Sequence, residues 1–210
     1  MLSRSSRVLI CIVAYSVALN FAWANRIGNG GNVVVCKDTI QVLDFYEASL
    51  SSKFPSDSEK KDYKTIAEDV FKRLKPISKK LSEQYLNRLN SITQEIDFKE
   101  GVALTDVKDS LYTFKPEDKN CEVQQIAIRK EESLPNEKRF VIDKKLWDRL
   151  DSRNKSALIV HEIIYEHLNK LGETTSVKAR KTVVYLYNDQ INSKEFWNLV
   201  KSLKLPIYPD

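Results

Sequence analysis

Residues 157–165 read ALIVHEIIY, apolar at nearly every position, with a histidine and a glutamate in the middle. A helix with one apolar stripe can lie on a surface, whereas a helix apolar on all sides has to be covered on all sides. The run therefore predicts a central helix from about Lys155 to Leu171, stopped by Gly172. His161 and Glu162 then need a reason to be inside. Burying an imidazole or a carboxylate without a partner costs several kcal/mol, so the two must be paired, must line a cavity or must bind something.

The flanking sequence supplies the layers that would cover such a helix. Val33 to Cys36 reads as a buried strand, and Thr39 is placed to cap a helix through Val42, Leu43, Phe45, Tyr46 and Leu50, closed off by Phe54-Pro55-Ser56-Asp57. From Ser58 to about Glu95, Ile66, Val70, Leu74, Ile77, Leu81, Tyr85, Leu89, Ile92 and Ile96 recur at helical spacing. Pro76 removes a hydrogen bond from that helix, which predicts either a kink or two helices meeting near Lys75. After Gly101 the period shortens. Val102 to Val107, Leu111 to Phe114, Cys121 to Ile128 and Arg139 to Ile142 are strand-like runs between turn residues and read as an antiparallel meander. Helix returns through Leu146, Trp147 and Leu150. Thr174 to Ser176 can cap a later helix, VKARKTVVYLY, and Ser193 a last one holding Phe196, Trp197, Val200 and Leu203. The expected fold is α+β: a small, mainly antiparallel sheet packed with helices, in one globular domain over residues 33–210. Trp147, Tyr185, Tyr187, Phe196 and Trp197 fall at helical spacings and read as core. A carbohydrate-stacking platform would instead need three rings exposed in a row.

The N-terminus carries an export signature. Arg4 and Arg7 precede an apolar stretch from Val8 to Ala18, and Ala22-Trp23-Ala24 fits the small-residue cleavage pattern. Residues 1–24 are thus expected to be a signal peptide, with the product periplasmic or secreted, and soluble without a membrane anchor. The stretch is shorter than the roughly 20 apolar residues a spanning helix needs. Residues 25–32, NRIGNGGN, read as a flexible glycine-rich leader. Cys11 would leave with the signal, so Cys36 and Cys121 remain as an even pair, which in an exported protein predicts a disulfide. Of the formal net charge of +5, Arg4 and Arg7 contribute two, leaving +3. Lysines and acids alternate without a stripe of one sign, which argues against nucleic-acid binding. No residue pattern specifies an oligomeric state.

The chemistry-bearing candidates cluster on the central helix. In the zinc peptidase motif H-E-x-x-H, two histidines one turn apart hold the metal and the glutamate activates water. Here the motif reads H-E-I-I-Y, so Tyr165 occupies the place of the second histidine. His167, six residues after His161, would point roughly 120° away around the axis and lie about 9 Å along it. Neither a metal nor another cofactor is therefore expected. From Arg139 to Leu171 the order of elements resembles small zincin-like metallopeptidases, which implies as an alternative a divergent hydrolase acting on envelope peptides or peptidoglycan. Gly28 to Cys36, Leu43 to Glu47, His161 to Tyr165, Ser176 and Arg180 resemble a group of uncharacterised exported proteins of predatory and related bacteria, a resemblance that implies no activity. From the residues alone, His161, Glu162, Tyr165 and Arg180 are the candidate catalytic set, with Ser176 in support. The main reading makes the same residues a buried structural network, in which Glu162 meets Arg180 while Ser176 or Tyr165 satisfies the imidazole. A further alternative is an envelope binding module for a peptide or glycan.

Overall fold

The computed structural model describes residues 27–29, 31–49, 61–102, 104, 116–130, 138–188 and 191–210. The expected export signal, Phe54–Asp57 and most of the runs expected as strands over 102–107 and 111–114 lie outside the described residues. Two small sheets carry the strands. β1 (Ile27–Asn29), β2 (Asn32–Val35) and β3 (Ile40–Val42) come first, followed directly by α1 (Leu43–Ser49). α2 (Tyr63–Lys72) and α3 (Lys79–Ile92) lead through a 3-10 turn to β4 (Ile96–Lys99). β5 (Glu122–Gln125), β6 (Ala127–Lys130) and β7 (Phe140–Asp143) complete the sheets. One has the order β1-β6-β7-β4 and the other β3-β2-β5. Pairing is antiparallel except between β4 and β7, which run parallel. The remaining helices are α4 (Lys144–Arg149), α5 (Ser152–Lys170), α6 (Val177–Leu186) and α7 (Ser193–Ser202). This is the α+β architecture that the sequence predicts.

The apolar run sits at the centre of α5, and every residue from Ser156 to Glu166 is buried. α5 packs against α2, α3, α6 and β3. Leu158, Ile159, Val160, Ile163, Ile164 and Leu168 are each at most 1% exposed. Burial of such side chains is worth roughly 1.5–3 kcal/mol apiece, which outweighs the cost of carrying a polar couple among them. Asp151 starts the helix by accepting from the Asn154 amide at 2.7 Å, and Gly172, with φ of 98°, ends it in the left-handed region that glycine adopts at low cost. Asn154 is itself buried, and its Oδ1 accepts from the Val42 amide at 2.9 Å, which ties the end of β3 to α5.

Pro76 divides the long helical pattern into α2 and α3, each with its own side-chain cap, Asp62 and Ser78. The disulfide joins Cys36 to Cys121 at the ends of paired strands, since Val35 lies opposite Glu122 in the register. Among the described residues no helix is long and apolar enough to cross a membrane.

Four local expectations change. Thr39 caps no helix: Ile40–Val42 forms β3 against β2, the hairpin is closed by the Cys36 amide donating to Thr39 O at 2.8 Å, and the helix begins only at Leu43. β-branched Ile40 and Val42 gain more from pairing with β2 than from a helical turn. Cys121–Ile128 is not one strand, because the chain passes from the second sheet into the first at Ile126. Asn192, one residue before Ser193, caps α7 by accepting from the Glu195 amide at 2.9 Å. Residues 27–32, read as leader, contain β1, which pairs with Ile128–Lys130, and the first residue of β2. Between these strands Gly31 forms a seam, its carbonyl accepting from the amides of both Ile126 and Ala127. A Cβ built on Gly31 would lie 2.1 Å from Leu158 Cδ1, so the absent side chain is what lets the seam press against α5.

Candidate functional site

His161 and Glu162 are both buried, but they do not act on one point. Successive residues of a helix project about 100° apart, and here each reaches a different element. His161 Nδ1 lies 2.8 Å from Asp44 Oδ2 on α1, in a pair whose side chains are 5% and 4% exposed. Burial works against the imidazolium, but the Asp44 carboxylate and the nearby Glu162 outweigh it, and the His161 pKa is raised. One turn along α1, Glu47 accepts from Arg180 Nε at 3.0 Å, and Arg180 Nη1 donates to Ser176 Oγ at 2.7 Å. Burial raises the Glu47 pKa, with Arg180 pulling the other way. α1 thus presents two acids in consecutive turns, one to α5 and one to α6.

Glu162 turns toward the strand seam. Its Oε1 accepts from the Gly31 amide at 2.6 Å, and its pKa is raised by burial, against the charges of His161 and Arg129. Glu162 Oε2 and His161 Nε2 are buried without hydrogen-bond partners among the described residues. Tyr165 covers the next turn. Its ring lies under the Arg129 guanidinium, 5.3 Å from centroid to Cζ, and its hydroxyl donates to Thr174 O at 3.4 Å. Arg129 also donates to Asn169 Oδ1 at 3.0 Å.

The expected Glu162–Arg180 pair does not form, and neither Ser176 nor Tyr165 satisfies the imidazole. α1 packs against α6 and supplies Glu47, which takes Arg180, while Asp44 takes His161. Ser176 keeps its supporting role, but to Arg180, and it stands at the N-cap position of α6 with no side-chain bond to the helix backbone. His161 and His167 do diverge as the helix angle requires: His167 Nδ1 lies 2.9 Å from the Tyr85 hydroxyl on α3.

A second ionic centre escaped the sequence reading. Glu166, one turn beyond Glu162, accepts from Arg88 Nε at 2.7 Å, Lys170 Nζ at 2.7 Å and Arg139 Nη1 at 3.4 Å. Arg88 also holds Glu95 through Nη1 and Nη2. Burial alone would raise the Glu166 carboxyl, but the hydrogen bonds from Lys170 and Arg88 overcome it and hold the pKa at about 2. The only sequence cue was i,i+4 spacing of Glu166 and Lys170, which is commonplace on exposed helices. Asp44 and Gly31 were hidden for another reason: their partners lie more than a hundred residues away.

A zinc ion does not fit this donor set. A metal-binding histidine can use Asp44-type support at Nδ1 and bind through Nε2, but the tyrosine one turn on is engaged by a backbone carbonyl and one of the two Glu162 oxygens by Gly31. Among the described residues no three His, Cys, Asp or Glu side chains are grouped as a metal site needs. No known family model matches this chain, and no curated protein or solved structure shows detectable similarity to it.

Proposed function

We propose that this chain is an exported protein of the bacterial envelope, periplasmic or secreted, whose His161, Glu162, Tyr165 and Arg180 are fold fasteners and not a catalytic centre. The support is the divergence of two adjacent side chains: His161 fastens α1 through Asp44, and Glu162 fastens the strand seam through Gly31. A hydrolytic pair would have to converge on one reacting bond, within hydrogen-bond reach of it. The disulfide between Cys36 and Cys121 accords with an oxidising compartment.

A divergent zincin-like hydrolase is the competing reading, favoured by one feature: an imidazole held at Nδ1 by a carboxylate, with Nε2 meeting no partner among the described residues. Metal analysis of the purified exported protein, together with turnover on a peptide library, separates the two. We expect no stoichiometric zinc and no turnover that depends on Glu162. Hydrolysis abolished by Glu162→Gln, in a variant with an unchanged circular dichroism spectrum, would overturn the structural assignment.

A further inference from the structure

Between α3 and α5 runs a groove of about 320 Å³, a size at the lower end of small-molecule sites. Its floor includes Tyr85 and Ile163, and Gln84, Asn87 and Lys170 stand exposed at its rim. Tyr85 decides the state of His167, which also lines it. Burial pushes the phenol far above its ordinary value, so it keeps its proton. The hydroxyl has no other hydrogen-bond partner among the described residues and lies 2.9 Å from His167 Nδ1, which accepts when the phenol is the donor. Burial and the Lys170 ammonium push the imidazole pKa down. A neutral imidazole that accepts at Nδ1 carries its proton on Nε2. That N–H has no acceptor among the described residues.

The charges lining the groove leave a surplus of donors. Three cations, Arg88, Arg139 and Lys170, share two carboxylates, Glu166 and Glu95. Arg88 is committed, with Nε on Glu166 and both terminal nitrogens on Glu95. Lys170 gives one hydrogen bond to Glu166 while its side chain stays 66% exposed, so two N–H groups remain. A ligand for this groove must bring acceptors and negative charge. We propose that the α3–α5 groove binds a small carboxylate of amino-acid to dipeptide size, held by the Lys170 ammonium and the His167 Nε2–H. The site uses neither His161 nor Glu162, so it stands or falls apart from the fastening role of those residues.

The chain has two histidines, so long-range proton–nitrogen NMR of the full exported protein yields two imidazole patterns to follow. At neutral pH His167 is expected as the Nε2–H tautomer. N-acetylalanine should shift it saturably and leave His161 in place, while the neutral N-acetylalanine amide should do nothing. Lys170→Gln should weaken the acid roughly tenfold, as expected for loss of a charge-assisted hydrogen bond. Gln84→Glu, an exposed rim change that puts no strain on the core, should weaken it several-fold by repulsion and serves if Lys170→Gln fails to fold. Equal response to acid and amide, no saturable shift, or unchanged affinity in a folded variant would overturn the site.

Discussion

Glu162 and Glu166 sit one turn apart on the same helix and are almost equally buried, at 1% and 3% exposed, yet their carboxyls are driven in opposite directions. Glu162 lies against the strand seam, meets a single amide donor, and feels Arg129 only through space. Its negative charge is a cost that the amide offsets in part. Glu166 lies where α3 and the residue just before β7 bring Arg88 and Arg139 beside α5, and it accepts from three cations at once. Depth alone therefore does not set the charge state of a buried acid; the number of donors it meets does. The first carboxylate serves as a shape-matched acceptor, the second as an ionic hub.

Substitution to the isosteric amide separates those roles. Glu166→Gln leaves Arg88, Arg139 and Lys170 facing a neutral group, and removing one partner of a buried ionic set costs about 3 kcal/mol or more. Urea denaturation of the variant should show that loss, and a change under 1 kcal/mol would mean the hub is no hub. Gly31→Ala comes next. Its new methyl must displace Leu158 from a packed site, so a loss of about 2 kcal/mol is expected from overpacking, with slower oxidation of Cys36 and Cys121 on refolding as a second readout. Glu162→Gln should cost less than about 1 kcal/mol, because the amide oxygen still accepts from Gly31 while the buried charge disappears. A loss as large as that of Glu166→Gln would erase the distinction between the two acids.

What the sequence made legible was local or arithmetically forced. ALIVHEIIY reads as a buried helix, Pro76 had to kink or divide the helical pattern, and two cysteines admit one disulfide. Export stands outside the described residues. The partners of the polar couple were not legible, since they depend on which elements meet. Arg180 follows Glu162 after a short turn, which made the two look like a pair, but α1 packs against α6 and Glu47 takes the arginine. Asp44, in the sequence Leu43-Asp44-Phe45, resembles the solvent-facing acid of an amphipathic helix until α5 is laid beside it. Gly31 looked like linker because a glycine that is needed for a close approach is indistinguishable, in one sequence, from a glycine that is merely flexible.

The smallest effect is the sharpest, because it distinguishes the two acids by sign. A carboxyl held at about 2, as Glu166 is, stabilises the fold fully above the ordinary value of 4.5, and that stabilisation is lost as the pH falls from 4.5 toward 2. A carboxyl held above 4.5, as Glu162 is, favours folding below 4.5 and loses that contribution as the pH rises through its folded value. His161, also raised, adds a loss in the same direction, starting from 6.5. Melting temperatures across the acid and neutral range should therefore behave differently in the two variants. The deficit of Glu166→Gln relative to the unmodified protein should shrink as the pH drops below 4.5. Glu162→Gln should instead gain on the unmodified protein as the pH climbs above 4.5, because the variant has no buried proton to lose. Curves that run parallel to the unmodified protein at every pH would show that Glu162 is no harder to ionise inside the fold than outside it, and the contrast between the two turns of α5 would then rest on geometry without charge.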